Sequence, residues 1–116
     1  MSAAQVALFA PYCGGVAQGP RLAAALDTLA QGEVEGVRRL RPRGERRFGL
    51  RWQAGPSPLE PSLCELHFPE LPEVVYRFEL PTHQLVAWLM QRRDAELPEQ
   101  FWHWLLLGRG GPAESA

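Results

Sequence analysis

The chain has 116 residues, a formal net charge of −1 and a hydrophobic fraction of 46%, values typical of one globular domain and not of a disordered chain. Its apolar runs are far shorter than the ~20 residues that a membrane-spanning helix needs, and its first positive side chain is Arg21, so we expect neither a membrane span nor a secretory signal. We therefore expect a cytoplasmic protein with a single domain over residues 1–107 and a disordered tail over 108–116.

The sequence contains no Lys, Ile or Asn, and all twelve of its basic residues are Arg. These three absent residue types use AT-rich codons, whereas the abundant Ala, Gly, Pro and Arg use GC-rich ones. The composition therefore indicates a GC-rich genome and a bacterial protein. It also makes arginine weaker evidence for phosphate binding than it would be in a chain that uses both basic residues.

The N-terminal third contains one clear helix. Residues 5–19, QVALFAPYCGGVAQG, begin as an apolar run that fits either a short strand or the first turns of a helix. Residues 20–32 carry leucines at helical spacing, with Pro20 at a favourable first position and Gly32 where a left-handed residue ends a helix. The pattern predicts a helix over 20–32.

Between residues 34 and 80 the apolar period changes from helical to two. Each of four segments alternates apolar with polar residues, as strands with one buried and one wet face do, and Gly36 in the first is typical of a bulge. Short Pro- and Gly-containing connections favour antiparallel neighbours, so we predict a four-stranded meander. Strand parity and helix period predict a core that contains Leu50, Trp52, Leu66, Phe68, Tyr76, Phe78, Leu85 and Leu89.

Two C-terminal helices complete the predicted fold. Thr82 is a suitable N-cap for a helix over 83–93, and Pro98 opens a second helix over 98–107. The predicted fold class is α+β, with an N-terminal helix, a four-stranded antiparallel β-meander and two C-terminal helices packed on one face.

The last helix supplies the leading functional hypothesis. It is apolar nearly all round, so a small sheet and one neighbouring helix are not expected to cover it completely. We predict a non-enzymatic protein–protein interaction module that forms a homodimer or binds another protein through Trp102, with His103 and Leu106 beside it.

An arginine-rich hairpin over residues 38–51 supplies the first alternative. It carries seven arginines and one acid, and Arg41, Arg43 and Arg46 near its turn are the candidates for binding nucleic-acid phosphates. The alternation argues against this function, because it places arginines and glutamates of neighbouring strands together on the wet face. That arrangement predicts a surface salt-bridge lattice.

Cys13 supplies a second alternative, a thiol enzyme. The segment VALFAPYC, followed by a glycine-rich loop and a helix, resembles the start of a glutaredoxin or thioredoxin, and the resemblance implies a reactive cysteine. The stretch continues Cys13-Gly14-Gly15-Val16 without a second cysteine, and the meander that follows differs from the connectivity of those proteins. We therefore favour a packed thiol.

No cofactor, metal or catalytic residue is predicted. Cys64 and His67 are three residues apart, but positions i and i+3 of a strand project to opposite faces, so the pair is not expected to chelate a metal.

Overall fold

The computed structural model describes residues 3–40 and 42–108. The predicted N-terminal helix is preceded by another, so the run from residue 5, which fitted either a strand or a helix, is helical. The elements are α1 (Ala3–Phe9), α2 (Gly19–Gln31), β1 (Glu33–Arg39), β2 (Glu45–Gln53), β3 (Pro61–Phe68), β4 (Leu71–Pro81), α3 (Thr82–Met90) and α4 (Glu99–His103). The predicted tail from residue 109 onward lies outside the described residues.

The four strands form one antiparallel sheet in the order β1-β2-β3-β4, which confirms the predicted α+β class and meander. Val34, Leu50, Leu66 and Tyr76 lie opposite one another across the four strands. Because opposite residues of an antiparallel sheet project from the same face, this register gathers the apolar positions on one side. The helices cover that side, the core face; the other side is the outer face.

The predicted core is confirmed on both its strands and its helices. A larger cluster that includes Leu22 and Leu26 of α2 surrounds these residues. Of the predicted set, Leu50, Trp52, Leu66, Phe78, Leu85 and Leu89 are buried, and Phe68 and Tyr76 are half-buried against them. The sequence had therefore indicated the correct face of every strand named in that set.

The C-terminal end of α3 and the loop after it differ from the helix that was predicted there. The helix predicted over 83–93 ends at Met90, because the chain turns through Asp94 and Ala95, both with positive φ, and lies along β1. The carbonyl of Ala95 accepts a hydrogen bond of 2.9 Å from the Val37 amide. Gly36 therefore marks close backbone approach and not a bulge: a Cβ there would lie 2.2 Å from that carbonyl oxygen.

Thr82 does not cap α3 but is its first residue, preceded by Pro81 at the cap position. Its hydroxyl is fully buried and donates to the Glu60 carbonyl at 2.7 Å, while Ser62 Oγ lies 2.6 Å away. The Gly55 amide donates to both hydroxyls. The residue that sequence statistics favour as a cap thus joins the β2–β3 connection to the start of α3, where unpaired polar groups would be costly.

The C-terminal helix predicted over 98–107 has two parts. The α-helical part, α4, ends at His103, and a wider π turn follows over Trp104–Gly108. Phe101 lies between the sheet and α3, with its ring centroid 6.2 Å from that of Phe78 and 6.1 Å from that of Trp88. The helix is therefore covered on two sides within one chain.

Candidate protein-interaction surface

Trp102, the residue predicted at the centre of an interface, is buried inside the chain with 2% of its surface exposed. Its ring packs edge-on against Phe48 at 5.2 Å, and the Arg38 guanidinium lies 5.0 Å from its centroid. The prediction that Trp102 forms an exposed stripe is wrong, because the core face of the sheet is wide enough to receive both Trp102 and Phe101.

The exposed part of this segment lies around its last turn, the C-terminal surface, which we define as His103, Trp104, Leu106 and Leu107. His103 is exposed, Leu106 and Trp104 are half-buried, and Leu107 is 71% exposed. A shallow depression of about 500 Å³ opens beside it, lined by Glu99, Gln100, His103 and Trp104. Large apolar side chains at the surface next to a depression are typical of protein-binding sites.

Trp104 connects this surface to the edge of the sheet. Its ring packs edge-on against Phe78 of β4 at 5.5 Å, whereas Trp102 contacts side chains of β2 and β3. The segment therefore crosses the core face towards β4, and Trp104 lies on the β4 side. Trp104 and Leu107 were not among the predicted interface residues, and no sequence signal marks the π turn in which both lie.

Most arginines of the 38–51 segment are paired with acids, and Arg41 lies outside the described residues. Arg43 is exposed at the turn, and neither it nor Arg47 makes an ion pair with a described residue. The pairs join Arg38 to Glu99, Arg39 to Glu96, Arg46 to Glu70 and Arg51 to Glu65. Arg46, a candidate phosphate ligand, thus has a carboxylate 3.6 Å away.

The outer face carries the predicted salt-bridge lattice. Glu33, Arg51, Glu65 and Arg77 lie opposite one another in one row across the four strands, with alternating sign. Arg51 donates to Glu65 at 2.8 Å and Arg77 at 3.0 Å. The hydrogen bond from Arg51, assisted by the charge of Arg77, lowers the pKa of Glu65 below its ordinary value.

This pairing makes stability depend on pH. A carboxylate whose pKa is lowered by folding stabilises the folded state above its unfolded pKa, and the contribution is lost as the pH falls through the folded pKa. We expect Glu65→Gln to lower the free energy of unfolding by about 0.2–1 kcal/mol at pH 7. Urea unfolding across acidic pH should show the difference vanishing at the acid end. Glu60→Gln, at an exposed glutamate without an arginine partner, is the control, and an equal loss there would contradict the lattice.

The two cysteines are unsuited to nucleophilic chemistry. Both are free thiols and buried. Burial raises the pKa of Cys13, and it raises the pKa of Cys64 to about 12. Because their pKa values are raised, both side chains remain protonated near neutral pH. The reactive form of a cysteine is the thiolate, so neither thiol is activated as a nucleophile. The environment of Cys13 therefore argues against the thiol-enzyme alternative.

No cluster of three or more metal-ligating side chains occurs within residues 3–40 and 42–108. Cys64 is buried on the core face, while His67 lies on the outer face with its ring over Gly49, so the two project to opposite faces as predicted. In the same part of the chain, no helix has the length and apolar character required to cross a bilayer.

A four-stranded antiparallel meander covered by helices on one face, with an exposed aromatic C-terminal turn, defines a small α+β protein. The family model described as "Type IV pilus, essential for biofilm suppression A-like" matches residues 1–109. The chain belongs to this family, which is bacterial and pilus-related, in agreement with the origin inferred from composition. No curated protein matches the chain significantly.

Proposed function

We propose that this protein is a non-enzymatic interaction module of the type IV pilus machinery that binds another protein through its C-terminal surface. The observation that carries the proposal is the exposure of Leu107 and of part of Trp104 at the end of an otherwise buried aromatic segment. Trp is enriched among the residues that contribute most of the binding energy in protein interfaces. The description of the family supplies the pilus context.

Two further features support a binding role over catalysis or nucleic-acid binding. The thiols are buried and protonated, and the outer face of the sheet carries charges that satisfy one another. Four of the seven arginines in the 38–51 segment lie near glutamates, among them Arg46, one of the three candidate phosphate ligands. We keep a cytoplasmic location as part of the proposal.

The test is affinity capture from piliated cells of the source bacterium, followed by identification of the captured proteins by mass spectrometry. We expect type IV pilus proteins to be enriched by the wild-type chain and lost with Leu107→Glu. Leu59→Glu is the matched control, since Leu59 is a similarly exposed leucine, 66% against 71%, in the β2–β3 connection. Equal capture by both variants would exclude the C-terminal surface, and capture of no pilus protein by the wild type would exclude the pilus role.

A further inference from the structure

The two edges of the sheet differ in what contacts them. The edge of β1 is contacted by the loop after α3, through the hydrogen bond from Val37 to Ala95 and the ion pair of Arg39 with Glu96. β4 has β3 as its one neighbour, and no backbone hydrogen bond from the described residues reaches its other edge. An unpaired strand of eleven residues presents a row of amides and carbonyls that can pair with another strand.

We propose that two copies of this chain pair through their β4 edges, antiparallel and around a two-fold axis at Phe78, to form one continuous eight-stranded sheet. A two-fold axis perpendicular to the sheet keeps the helices of both copies on the same side and the outer faces together on the other. Phe78 then lies opposite Phe78 of the second copy, and Tyr76 lies opposite its Leu80. All of these side chains are on the core face.

The charges on the outer face favour this register. With the axis at Phe78, Arg77 lies directly opposite Glu79 of the second copy, and the symmetry repeats the pair. Arg77 keeps 75% of its side chain exposed while it binds Glu65, so its guanidinium can reach a second carboxylate. The alternating row that runs from Glu33 to Arg77 would thereby continue into the second copy with a negative charge, as cross-strand pairing prefers.

A competing register has its axis at Val75 and places Arg77 opposite Glu73 of the second copy. That register needs a regular strand over residues 72–74. The pairing with β3 is irregular there, because His67 lies opposite Val75 while the next residue, Phe68, lies opposite Leu71. Residues 75–81 have a regular pairing with β3, so the axis at Phe78 uses the straight part of the strand.

The C-terminal surface adds apolar area to this contact. Stable interfaces bury ~1,200–2,000 Å² of surface. The pairing of seven backbone positions buries little surface by itself, so side chains have to contribute. Trp104 packs on Phe78, the residue at the axis, and is half-buried in one chain. Two copies would therefore bring their Trp104 rings together over the paired strands, next to the depression lined by His103.

The experiment is sedimentation equilibrium of the full chain over a wide concentration range, with charge variants at two exposed positions of β4. We expect a dimer that Glu79→Arg weakens by about tenfold or more, because it sets two pairs of like charges opposite each other. Glu73→Arg is the matched control and should leave dimerisation unchanged. Hydrogen exchange of the amides in residues 75–81 should slow as the concentration rises.

Each other result overturns the inference. A wild-type protein that stays monomeric at the highest concentration removes the dimer. Weakening by Glu73→Arg but not by Glu79→Arg moves the axis to Val75, and weakening by neither, with loss of the dimer in Leu107→Glu, moves the contact to the helices. A monomeric protein that still captures pilus proteins would leave the proposed function intact, so the two ideas fail separately.

Discussion

Replacing Trp102 by alanine is expected to lower the free energy of unfolding by about 3–5 kcal/mol, the range measured when large buried aromatic side chains are truncated. The indole contacts side chains of β1, β2 and β3 and the neighbouring Phe101, whose ring lies 5.0 Å away. Removing it would leave a cavity at the point where the last helix meets the sheet. Urea denaturation followed by circular dichroism would measure the change.

The control for Trp102 is its neighbour in sequence. His103→Ala changes an exposed side chain on the same helix and should shift stability by no more than ~0.5 kcal/mol. An interface role for Trp102, as the sequence alone had suggested, requires instead that Trp102→Ala change the association state and leave the unfolding transition of the monomer in place. Equal stability of the wild type and Trp102→Ala would contradict the burial described above.

Leu66→Ala should be the second large loss, about 2–5 kcal/mol. Leu66 has no exposed surface and lies in the middle of β3, opposite Leu50 and Tyr76 on the core face. Thermal and urea unfolding would both detect a change of this size, because it is a large fraction of the 5–15 kcal/mol that a domain usually has.

Leu63→Ala provides the comparison within the same strand. Leu63 is an odd-numbered position, 51% exposed on the outer face between Gln53 and Glu79, so its truncation should cost far less than that of Leu66. A slip of one residue in the register exchanges the two faces of a strand. A larger loss at Leu63 than at Leu66 would therefore show that the faces are assigned the wrong way round.

The sequence was sufficient to predict the sheet because the patterns that specify a meander lie within short stretches of the chain. Alternation along β2, β3 and β4 identifies which side chains are buried, and short connections specify the order of the strands. The salt-bridge row through Glu65 followed from the same parity. Each of these conclusions depends on neighbouring residues in the chain or on directly adjacent strands.

The interface residue could not be predicted in that way. Whether Trp102 is buried depends on how much of the core face is left free after α2 and α3 have packed, which is a property of the whole fold. The π turn at Trp104 and the positive φ of Ala95 also have no signal in the sequence, whereas Asp94 belongs to a residue type that is enriched at positive φ. Trp104 and Leu107, which lie in the π turn, were therefore not among the predicted interface residues.

The loop that turns at Asp94 and Ala95 has a consequence for how many copies can join. A sheet with two open edges can add strands at both ends, and such head-to-tail growth leads to filaments of indefinite length. Here the carbonyl of Ala95 occupies the middle of the β1 edge, at a glycine that lets the loop come close. A strand that paired with β1 would have to displace this loop, whereas pairing through β4 alone closes an assembly after two members.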